Sequence, residues 1–464
     1  MSICVTGGKI LSGELRVQGS KNSALPILAA TLLADSPTTL YGVPSVSDVH
    51  HMCSALRLLG CTVTQKGSTV TVDPRGKKFA CLDSLNADTR GVTLLMGACL
   101  GAFGKSDIIT GGGCKLGSRP IGYHLQGFAS LGANILQDHI DGSHLAGGHV
   151  FLPFPSVGAT QNLLFASVRA PGQTVIHGAA REPEICDLIK YLCLCGANIT
   201  GMGTPTLAVQ GVKNLKGICY PVMPDRCAAA TYLLMCAATG GSIRLLNVTP
   251  FMLYNVLPTF MKMGIDLNLR YDSIFAKAHG LKGIGNLTTG VHPGFPTDMQ
   301  PLVCAALTAA AGETAVREQV FLGRFAYIPQ LNSMGAGILC RDSQNVLIPG
   351  GAKLQGTEVL ATDLRGGAAL ALGALLARGT TKILNTHHID RGYENFAQVL
   401  MQLGADITTC EDDTYGNQEK NKKEKSQKTG ETRPVFKPAG LCGSGGGRAV
   451  CTGQHLLQGG GGQL

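Results

Sequence analysis

Charged side chains collect in this sequence just before stretches that should form helices. They stand in Ser20-Lys21-Asn22, Asp88-Thr89-Arg90, Ser156-Val157-Gly158, Pro224-Asp225-Arg226, Thr297-Asp298 and Asp363-Leu364-Arg365, and again in residues 114–119, Arg181-Glu182-Pro183-Glu184, Arg324 and Asp390-Arg391. A helix N-terminus presents free N–H groups and the positive end of the helix dipole, which favours phosphate and carboxylate groups. With Lys and Arg around several such ends, the sequence predicts a site for a small molecule with several negative charges. Taken singly, each residue could instead be an ordinary cap or turn residue paired on the surface.

One short segment combines a nucleophile with cations and cannot form a regular helix or strand. It reads Gly111-Gly112-Gly113-Cys114-Lys115-Leu116-Gly117-Ser118-Arg119-Pro120. Three consecutive glycines disfavour both helix and strand, so we expect a mobile loop. Nearby cations lower the pKa of a thiol, and Lys115 and Arg119 therefore make Cys114 the candidate reactive thiol. His124 follows closely, either as a ligand contact or as a packing residue at a helix start.

The elements that must position these residues form a sixfold repeat. A helix-like stretch ends six times in an apolar residue followed by Gly, at Leu59-Gly60, Leu131-Gly132, Cys195-Gly196, Met263-Gly264, Met334-Gly335 and Leu403-Gly404. Successive glycines are 72, 64, 68, 71 and 69 residues apart. Such a period indicates that one supersecondary unit has been copied. Gly after an amphipathic helix is typical of a helix C-cap, and a strand should follow each copy.

Each unit also contains a nearly all-apolar helix and a β-branched run. A helix such as Leu25-Pro26-Ile27-Leu28-Ala29-Ala30-Thr31-Leu32-Leu33 should be buried on nearly every side. The β-branched runs predict strands at Thr38-Thr39-Leu40, Asp107-Ile108-Ile109, Thr174-Val175-Ile176, Ser242-Ile243-Arg244, Thr314-Ala315-Val316 and residues 379–384. Repeated strand–helix–strand–helix units predict a layered α/β protein, with three units in each of two domains. Open solenoid stacking is the alternative, but buried helices in every unit favour a closed arrangement.

Length and composition limit the class of protein. A chain of 464 residues, 44% of them hydrophobic, should form two large domains. No apolar run reaches the length of a membrane span, and the start Met1-Ser2-Ile3-Cys4 does not resemble a signal peptide. Seventeen cysteines spread over helix-like stretches indicate reduced thiols in the cytoplasm. The net charge of +9 comes without a basic stripe interleaved with aromatic residues, which favours a small anionic substrate over nucleic acid.

Six motifs together resemble one enzyme family. They are Gly19-Ser20-Lys21-Asn22-Ser23-Ala24-Leu25-Pro26, the Gly-Gly-Cys to Ser-Arg-Pro loop, Arg181-Glu182-Pro183-Glu184, Pro296-Thr297-Asp298-Met299-Gln300, Ala361-Thr362-Asp363-Leu364-Arg365 and His388-Ile389-Asp390-Arg391-Gly392-Tyr393-Glu394. In this order, over about residues 3–410, the sequence is similar to the UDP-N-acetylglucosamine 1-carboxyvinyltransferases, which start bacterial peptidoglycan precursor synthesis. The resemblance implies two inside-out α/β barrels of three units each, with the active site in the interdomain cleft. It implies a first barrel of residues 22–223 and a second of residues 1–21 and 224–410. Residues 411–464, rich in Lys and Glu and then in Gly, are predicted to be a disordered tail.

The resemblance also implies a reaction. The enolpyruvyl group of phosphoenolpyruvate passes to the 3′-hydroxyl of UDP-N-acetylglucosamine through a tetrahedral ketal, with release of phosphate. Protonation at C3 and attack at C2 need an acid and a base, which the resemblance assigns to Cys114 and Asp298, with Asp363 assisting the elimination. No metal or cofactor is expected, because arginines supply the neutralising charge. The expected partners are the two small-molecule substrates, with neither nucleic acid nor membrane insertion, bound by a cytoplasmic monomer or weak homo-oligomer.

Binding residues are implied position by position. Lys21, Arg119 and Arg391 would hold the phosphate and carboxylate of phosphoenolpyruvate, and Arg365 the developing intermediate. The positions that match the UDP-sugar site are Asn22, Arg90, Arg119, Pro120, Ile121, Gly122, Tyr123, Phe154, Ser156, Val157, Asp298 and Val320.

The sequence departs from this family at four places. Gly122 stands where Asp is usual, Phe154 where Lys is expected, Ala228 where an acid is expected, and Leu322-Gly323 where a polar pair precedes Arg324. These changes concern the nucleotide rim and the domain interface, so they affect UDP-sugar affinity more than the type of reaction. Two alternatives stay open: a non-catalytic paralogue that binds UDP-sugar, and a 3-phosphoshikimate enolpyruvyltransferase. The latter typically has Ser at the position of Asn22 and lacks the cysteine loop.

Overall fold

Helices and strands alternate along the chain as the repeat predicts. The computed structural model describes residues 2–82, 90–110, 112 and 121–410, and the predicted tail at 411–464 lies outside them. The helices are α1 Lys21–Ala30, α2 Ser47–Leu58, α3 Leu95–Phe103, α4 Gly122–Ser130, α5 Val157–Ser167, α6 Pro183–Leu194, α7 Arg226–Ala238, α8 Leu257–Lys262, α9 Gln300–Thr308, α10 Ile328–Ser333, α11 Leu364–Leu376 and α12 Phe396–Gln402. The strands are β1 Ser2–Thr6, β2 Ser12–Arg16, β3 Thr38–Tyr41, β4 Thr62–Lys66, β5 Thr69–Asp73, β6 Lys105–Asp107, β7 Asn134–Ile135, β8 His139–Asp141, β9 His149–Phe151, β10 Gln173–His177, β11 Asn198–Thr200, β12 Thr206–Gln210, β13 Cys219–Pro221, β14 Ser242–Leu246, β15 Ile265–Leu269, β16 Ser273–Ala278, β17 Gly285–Thr288, β18 Thr314–Arg317, β19 Leu339–Cys340, β20 Asn345–Ile348, β21 Glu358–Leu360, β22 Thr380–Leu384 and β23 Asp406–Cys410.

The repeated glycines end every second helix and introduce a strand. Their φ angles are +80° at Gly60, +87° at Gly132, +109° at Gly196, +87° at Gly264, +93° at Gly335 and +104° at Gly404. A residue with a Cβ rarely adopts such angles, so glycine is what lets the chain turn out of the helix. The strands that follow the six turns are β4, β7, β11, β15, β19 and β23. The predicted helix–glycine–strand repeat is confirmed.

The strands form one small sheet for each unit. Five sheets have four strands, in the orders β13-β3-β5-β4, β11-β12-β10-β9, β15-β16-β14-β2, β17-β18-β20-β19 and β21-β22-β1-β23. Each of the five contains one parallel pair at one edge and antiparallel pairs elsewhere. The sixth sheet, within the described residues, is β6-β8-β7. Identical pairing in five sheets shows that the copied unit keeps its topology.

Two hydrophobic cores form around the apolar helices. Residues between 24 and 222 make one core, and residues 3–17 with 227–407 make the other. In the first core α3 packs against α5 and α1, and in the second α9 packs against α11 and α7. Nearly every residue of α7 and α11 is buried, whereas the strands bury alternate residues. Helices therefore occupy the inside and sheets the outside, as the inside-out α/β prediction requires.

The chain passes between the two cores twice, at residues 18–23 and 222–227. The two passages lie side by side: Gly19 pairs with Pro224 in an isolated bridge. The Ser20 N–H donates to the Met223 carbonyl at 2.7 Å, and the Asp225 N–H donates to the Gln18 carbonyl at 2.8 Å. The start of α1, which carries Lys21, therefore lies next to the start of α7.

One predicted strand is wrong in position. The sequence placed it at Asp107-Ile108-Ile109, but β6 ends at Asp107. Gly104 has a φ of +67° after α3 and turns the chain directly into Lys105, so the ladder starts two residues earlier. Within the described residues, every helix is too short or too polar to cross a bilayer.

Candidate active site

Asp298 is the centre of a charged cluster in the second core. Its Oδ1 accepts a hydrogen bond from Arg324 Nη2 at 2.5 Å, and its Oδ2 accepts from Arg365 Nη2 at 3.2 Å and Nε at 3.3 Å. The two arginine side chains are buried, at 1% and 5% exposure, whereas the Asp298 side chain is 32% exposed. The carboxylate is therefore the part of this cluster that a substrate can reach.

The surrounding charges keep Asp298 ionised. Burial opposes its ionisation, but Arg365 and Arg324 outweigh burial and hold the pKa of Asp298 well below its usual range. Lys21 adds to this lowering of the pKa, so it lies within electrostatic reach of the cluster. The Cys227 thiol lies 4.0 Å from Oδ2, and burial raises its pKa to about 12. Cys227 is thus a neutral neighbour of the carboxylate.

A helix cap and an aromatic ring hold Arg365 in place. Asp363 caps α11, and its Oδ1 accepts the N–H of Arg365 at 3.0 Å and that of Gly366 at 3.2 Å. The Arg365 guanidinium lies 5.3 Å from the centre of the Tyr393 ring, within range of a cation–π contact. Arg324 Nη1 lies 3.9 Å from Asp363 Oδ1. The structure thus brings the predicted residues Asp298, Asp363 and Arg365 together.

A second cluster joins Lys21 and Arg391 through Asp48. Lys21 begins α1, Asp48 lies in the first turn of α2, and Arg391 ends a 3₁₀ helix, Thr386–Arg391, of the second core. Lys21 Nζ lies 3.0 Å from Asp48 Oδ2, and Arg391 Nε lies 3.1 Å from Oδ1. Burial opposes the ionisation of Asp48, but Lys21 and Arg391 outweigh it and lower the pKa of the carboxyl group. The structure therefore joins two predicted cations on a carboxylate that sequence reasoning missed.

The N-termini of four helices are capped by their own side chains. Ser20, Ser156, Asp225 and Asp363 each accept a backbone N–H of the first turn, in α1, α5, α7 and α11. Side chains therefore already occupy one or two of the N–H donors at each of these four helix starts, and the prediction that helix N-termini help to bind the anion stays a prediction.

A buried ion pair links α6 of the first core to α7 of the second. Arg226 Nε lies 2.9 Å from Glu184 Oε1, and Nη2 lies 3.2 Å from Oε2. Both side chains are buried, with 9% and 4% exposure. Arg181 donates to the His292 carbonyl at 3.1 Å in the same region. The motif Arg181-Glu182-Pro183-Glu184 therefore connects the two cores.

Six of the twelve predicted UDP-sugar residues lie at the starts of α4 and α5. Ile121 is the N-cap of α4, and Gly122 and Tyr123 lie in its first turn and line an open cavity. Phe154, 37% exposed, and Ser156 precede Val157, the first residue of α5.

The contacts of His124 favour the packing interpretation over the ligand contact that the sequence also left open. Its side chain is buried, and Asn162 Nδ2 lies 2.8 Å from its Nδ1. Burial lowers the pKa of His124 to about 4, and the charge of Arg90 contributes. A neutral ring accepts the Asn162 amide, which also donates to the Thr93 carbonyl at 3.0 Å.

The remaining predicted residues lie at separate places. Asn22 is in the first turn of α1. Arg90 donates to the Thr110 carbonyl at 3.1 Å. The Val320 N–H donates to Glu318 Oε1 at 2.8 Å, and the other oxygen of Glu318 accepts from Thr297, next to Asp298, at 3.0 Å.

Three predicted residues, Cys114, Arg119 and Pro120, lie outside the described residues. In the part of the chain that the structure describes, no three His, Cys, Asp or Glu side chains come together to hold a metal ion.

Comparison with known proteins identifies the family. The family model for EPSP synthase (3-phosphoshikimate 1-carboxyvinyltransferase) matches residues 5–400. The chain belongs to the EPSP synthase family. UDP-N-acetylglucosamine 1-carboxyvinyltransferase 2 of Listeria monocytogenes is 41% identical over 412 residues, which cover 88% of this chain and 97% of the relative. UDP-N-acetylglucosamine 1-carboxyvinyltransferase of Shewanella amazonensis is 40% identical over 413 residues, or 87% and 98% of the two chains.

Solved structures of EPSP synthase family members and related enzymes share the fold. The enolpyruvyl transferase NikO from Streptomyces tendae superposes with a TM-score of 0.78 at 24% identity, over 88% of this chain and 98% of that one. EPSP synthase from Acinetobacter baumannii gives a TM-score of 0.69 at 21% identity, over 88% and 100%. These likenesses establish the two-domain α/β fold.

The Asp298 cluster is intact in this EPSP synthase family member, although the sequence departs at four places from the pattern expected for the UDP-N-acetylglucosamine 1-carboxyvinyltransferases. Leu322 is 64% exposed and Phe154 is 37% exposed. A Cβ built on Gly122 meets no atom within 4 Å among the described residues, so a side chain there would point into open space. Ala228 is buried in α7 and receives a cap from Asp225. Gly122, Phe154 and Leu322, where the resemblance leads us to expect polar residues, thus lie on accessible surfaces.

Proposed function

We propose that this protein transfers the enolpyruvyl group of phosphoenolpyruvate to the 3′-hydroxyl of UDP-N-acetylglucosamine and releases phosphate. This is the first committed step of peptidoglycan synthesis. One observation carries the proposal: an accessible carboxylate, Asp298, is held by Arg324 and Arg365 within electrostatic reach of Lys21. Lys21 in turn shares Asp48 with Arg391. A base and four cations in one place suit an anionic enol and a hydroxyl acceptor, and relatives at 40–41% identity carry the name of this activity.

In the proposed reaction Asp298 takes the proton of the 3′-hydroxyl as the hydroxyl oxygen attacks C2. Cys114 delivers a proton to C3, which gives a tetrahedral ketal. Loss of phosphate and of a C3 proton then restores the enol double bond, with Asp363 assisting. A carboxylate with a lowered pKa is a weak base, so the entering anion must draw Arg365 away from Asp298 to raise its basicity.

Each substrate has its own group of residues in this proposal. Lys21, Arg119 and Arg391 bind the phosphate and carboxylate of phosphoenolpyruvate, and Arg365 binds the charge that develops in the ketal. The UDP-sugar is bound by Asn22, Arg90, Arg119, Pro120, Ile121, Gly122, Tyr123, Phe154, Ser156, Val157, Asp298 and Val320.

The domain division belongs to the proposal as well. Residues 22–223 would form the first barrel, and residues 1–21 with 224–410 the second. The two hydrophobic cores support this division, because the first stops at Val222 and the second includes Val17 and Cys227. A cytoplasmic monomer or weak homo-oligomer completes the proposal.

Phosphate release tests the function. The purified protein with UDP-N-acetylglucosamine and phosphoenolpyruvate should release phosphate, and Cys114→Ala should abolish the release. Replacing the UDP-sugar with 3-phosphoshikimate should give none, since the 38–41% identical relatives carry the UDP-sugar name. Background release by the parent, with calorimetry still detecting UDP-sugar binding, would establish the non-catalytic paralogue instead.

A further inference from the structure

Asp48 has no part in the reaction steps above, yet it contacts two residues that do. We infer that Asp48 is a positioning residue which holds Lys21 and Arg391 in place beside the passage between the two cores and limits their affinity for phosphate. The inference rests on the proposed function, because it assigns Lys21 and Arg391 to the phosphate group.

The geometry shows that one Asp48 oxygen contacts the passage between the cores, at Lys21, and the other contacts Arg391 of the second core. Oδ2 contacts Lys21 Nζ at 3.0 Å, and Oδ1 contacts Arg391 Nε at 3.1 Å. The side chains of Asp48, Lys21 and Arg391 are 5%, 11% and 14% exposed. Two cations confined in so little solvent repel each other unless an anion lies between them. Asp48 supplies that anion before any substrate binds.

Gln18, on the passage between the cores, holds the backbone that follows Arg391. Gln18 Nε2 donates to the Gly392 carbonyl at 3.0 Å, and Gln18 Oε1 accepts the Glu394 N–H at 2.9 Å. Gln18 lies beside Asp225 on the first passage of the chain. The backbone after Arg391 is therefore tied to the same place from which α1 carries Lys21, and Asp48 aligns the two side chains.

The charge of Asp48 also sets how strongly the pair binds phosphate. Lys21 and Arg391 with Asp48 carry a net charge of about +1, and without the carboxylate they would carry about +2. The same cations must bind the phosphate of the substrate and release inorganic phosphate as product. An enzyme that binds its product too strongly loses turnover. A carboxylate behind the cations therefore favours release.

The isosteric variant Asp48→Asn tests both proposed roles of Asp48, the positioning of Lys21 and Arg391 and the limit on their affinity for phosphate. It removes the charge, and its amide can accept from only one of the two cations. With UDP-N-acetylglucosamine present, calorimetric titration with inorganic phosphate should show a Kd lower by about tenfold, because one opposing charge is gone. In steady-state assays kcat should fall by about tenfold or more through misalignment and slow phosphate release. The KM for UDP-N-acetylglucosamine should stay within twofold.

Two further variants complete the design. Asp35→Asn is the matched control, since Asp35 contacts Arg169 and Lys77 in the first core and should leave phosphate affinity and kcat unchanged. Asp48→Glu keeps the charge with a longer reach, so its phosphate affinity should match the parent while kcat falls. A melting curve shows whether Asp48→Asn folds. If it does not fold, Asp48→Glu still tests the inference.

An unchanged or weaker phosphate affinity in Asp48→Asn, or a kcat within twofold of the parent, would overturn the inference. So would equal loss of affinity for phosphate and UDP-sugar, which indicates a general structural role. If the parent itself releases no phosphate from phosphoenolpyruvate, the proposed function fails, whereas the calorimetric comparison of inorganic phosphate binding still decides the role of Asp48.

Discussion

Replacing Asp298 with asparagine tests the active-site assignment most directly. The carboxylate accepts three N–H groups, one from Arg324 and two from Arg365. An asparagine keeps the shape and can still accept from Arg324, but it turns an NH₂ group toward Arg365 or loses the Arg324 contact. It cannot take a proton from a hydroxyl. The variant should therefore lose catalysis far more than stability.

The sizes of the two losses can be worked out separately. General base catalysis contributes about 10²- to 10⁴-fold to kcat, or about 3–5 kcal/mol of transition-state free energy. Breaking a fully buried ion pair costs about 3–5 kcal/mol, and an exposed pair costs less than about 1 kcal/mol. Asp298 is 32% exposed, so we expect a loss between these, of about 1–3 kcal/mol. At about 2–4 °C for each kcal/mol, the melting temperature should fall by several degrees.

The assay measures phosphate release and melting temperature on the same preparations. Asp35→Asn is the control, because its carboxylate also faces two cations, Arg169 at 2.8 Å and Lys77 at 3.9 Å, on the surface of the first core. It should keep kcat within twofold and lose less than about 1 kcal/mol of stability. If Asp298→Asn keeps more than a tenth of the parent kcat, Asp298 is not the base. If its melting temperature is unchanged, the ion pairs with the two arginines do not form in solution.

Three further outcomes are expected. Glu184→Leu and Arg226→Met should each destabilise the protein by about 3–5 kcal/mol in denaturant unfolding, and the double variant should recover most of the loss; simple additivity would contradict a coupled pair. His124 takes up its proton in the unfolded chain near pH 6.5 but in the folded protein only at about pH 4, so it lowers stability as the pH falls through this interval. The melting temperature of His124→Gln should fall less steeply there than that of the parent, and parallel curves would contradict the burial of a neutral ring. Fosfomycin, an epoxide that alkylates the loop cysteine of the UDP-N-acetylglucosamine 1-carboxyvinyltransferases, should label Cys114 in peptide mass mapping. It should leave Cys227 untouched, since burial raises the pKa of Cys227 to about 12; earlier labelling of any other thiol would refute the reactivity argument.

The repeat could be predicted because its signals are local. A glycine at positive φ is required wherever a helix turns sharply into a strand, and six such glycines stand at nearly equal spacing. The apolar helices were equally clear, since α7 and α11 are apolar on nearly every side and lie inside the cores. The strand β6 was placed two residues too late, because Ile108 and Ile109 look more like a strand than Lys105 and Ser106. Pairing with β8, which no local pattern reveals, decided its position.

Asp48 could not be found in this way. An acidic residue in the first turn of a helix is ordinary, because it complements the helix dipole. Its importance comes from partners 27 and 343 residues away in the chain. The Glu184–Arg226 pair was hidden for the same reason, although Glu184 stands in a motif that the sequence singled out. Contacts between the cores depend on the pairing of whole domains, and only the structure supplies it.

The N-termini of the repeated helices explain why one fold element serves both scaffold and site. At α5, α7 and α11 the cap side chain turns back onto its own helix, so these ends stabilise the units. The cations that the proposed function uses stand close to two caps: Lys21 follows Ser20 directly, and Arg365 is two residues after Asp363. Capping fixes the backbone at these positions, and the longer side chains of Lys21 and Arg365 reach Asp48 and Asp298. Because each copy of the unit has different residues at this place, equivalent helix starts can serve as structural caps in some units and carry the proposed base and cations in others.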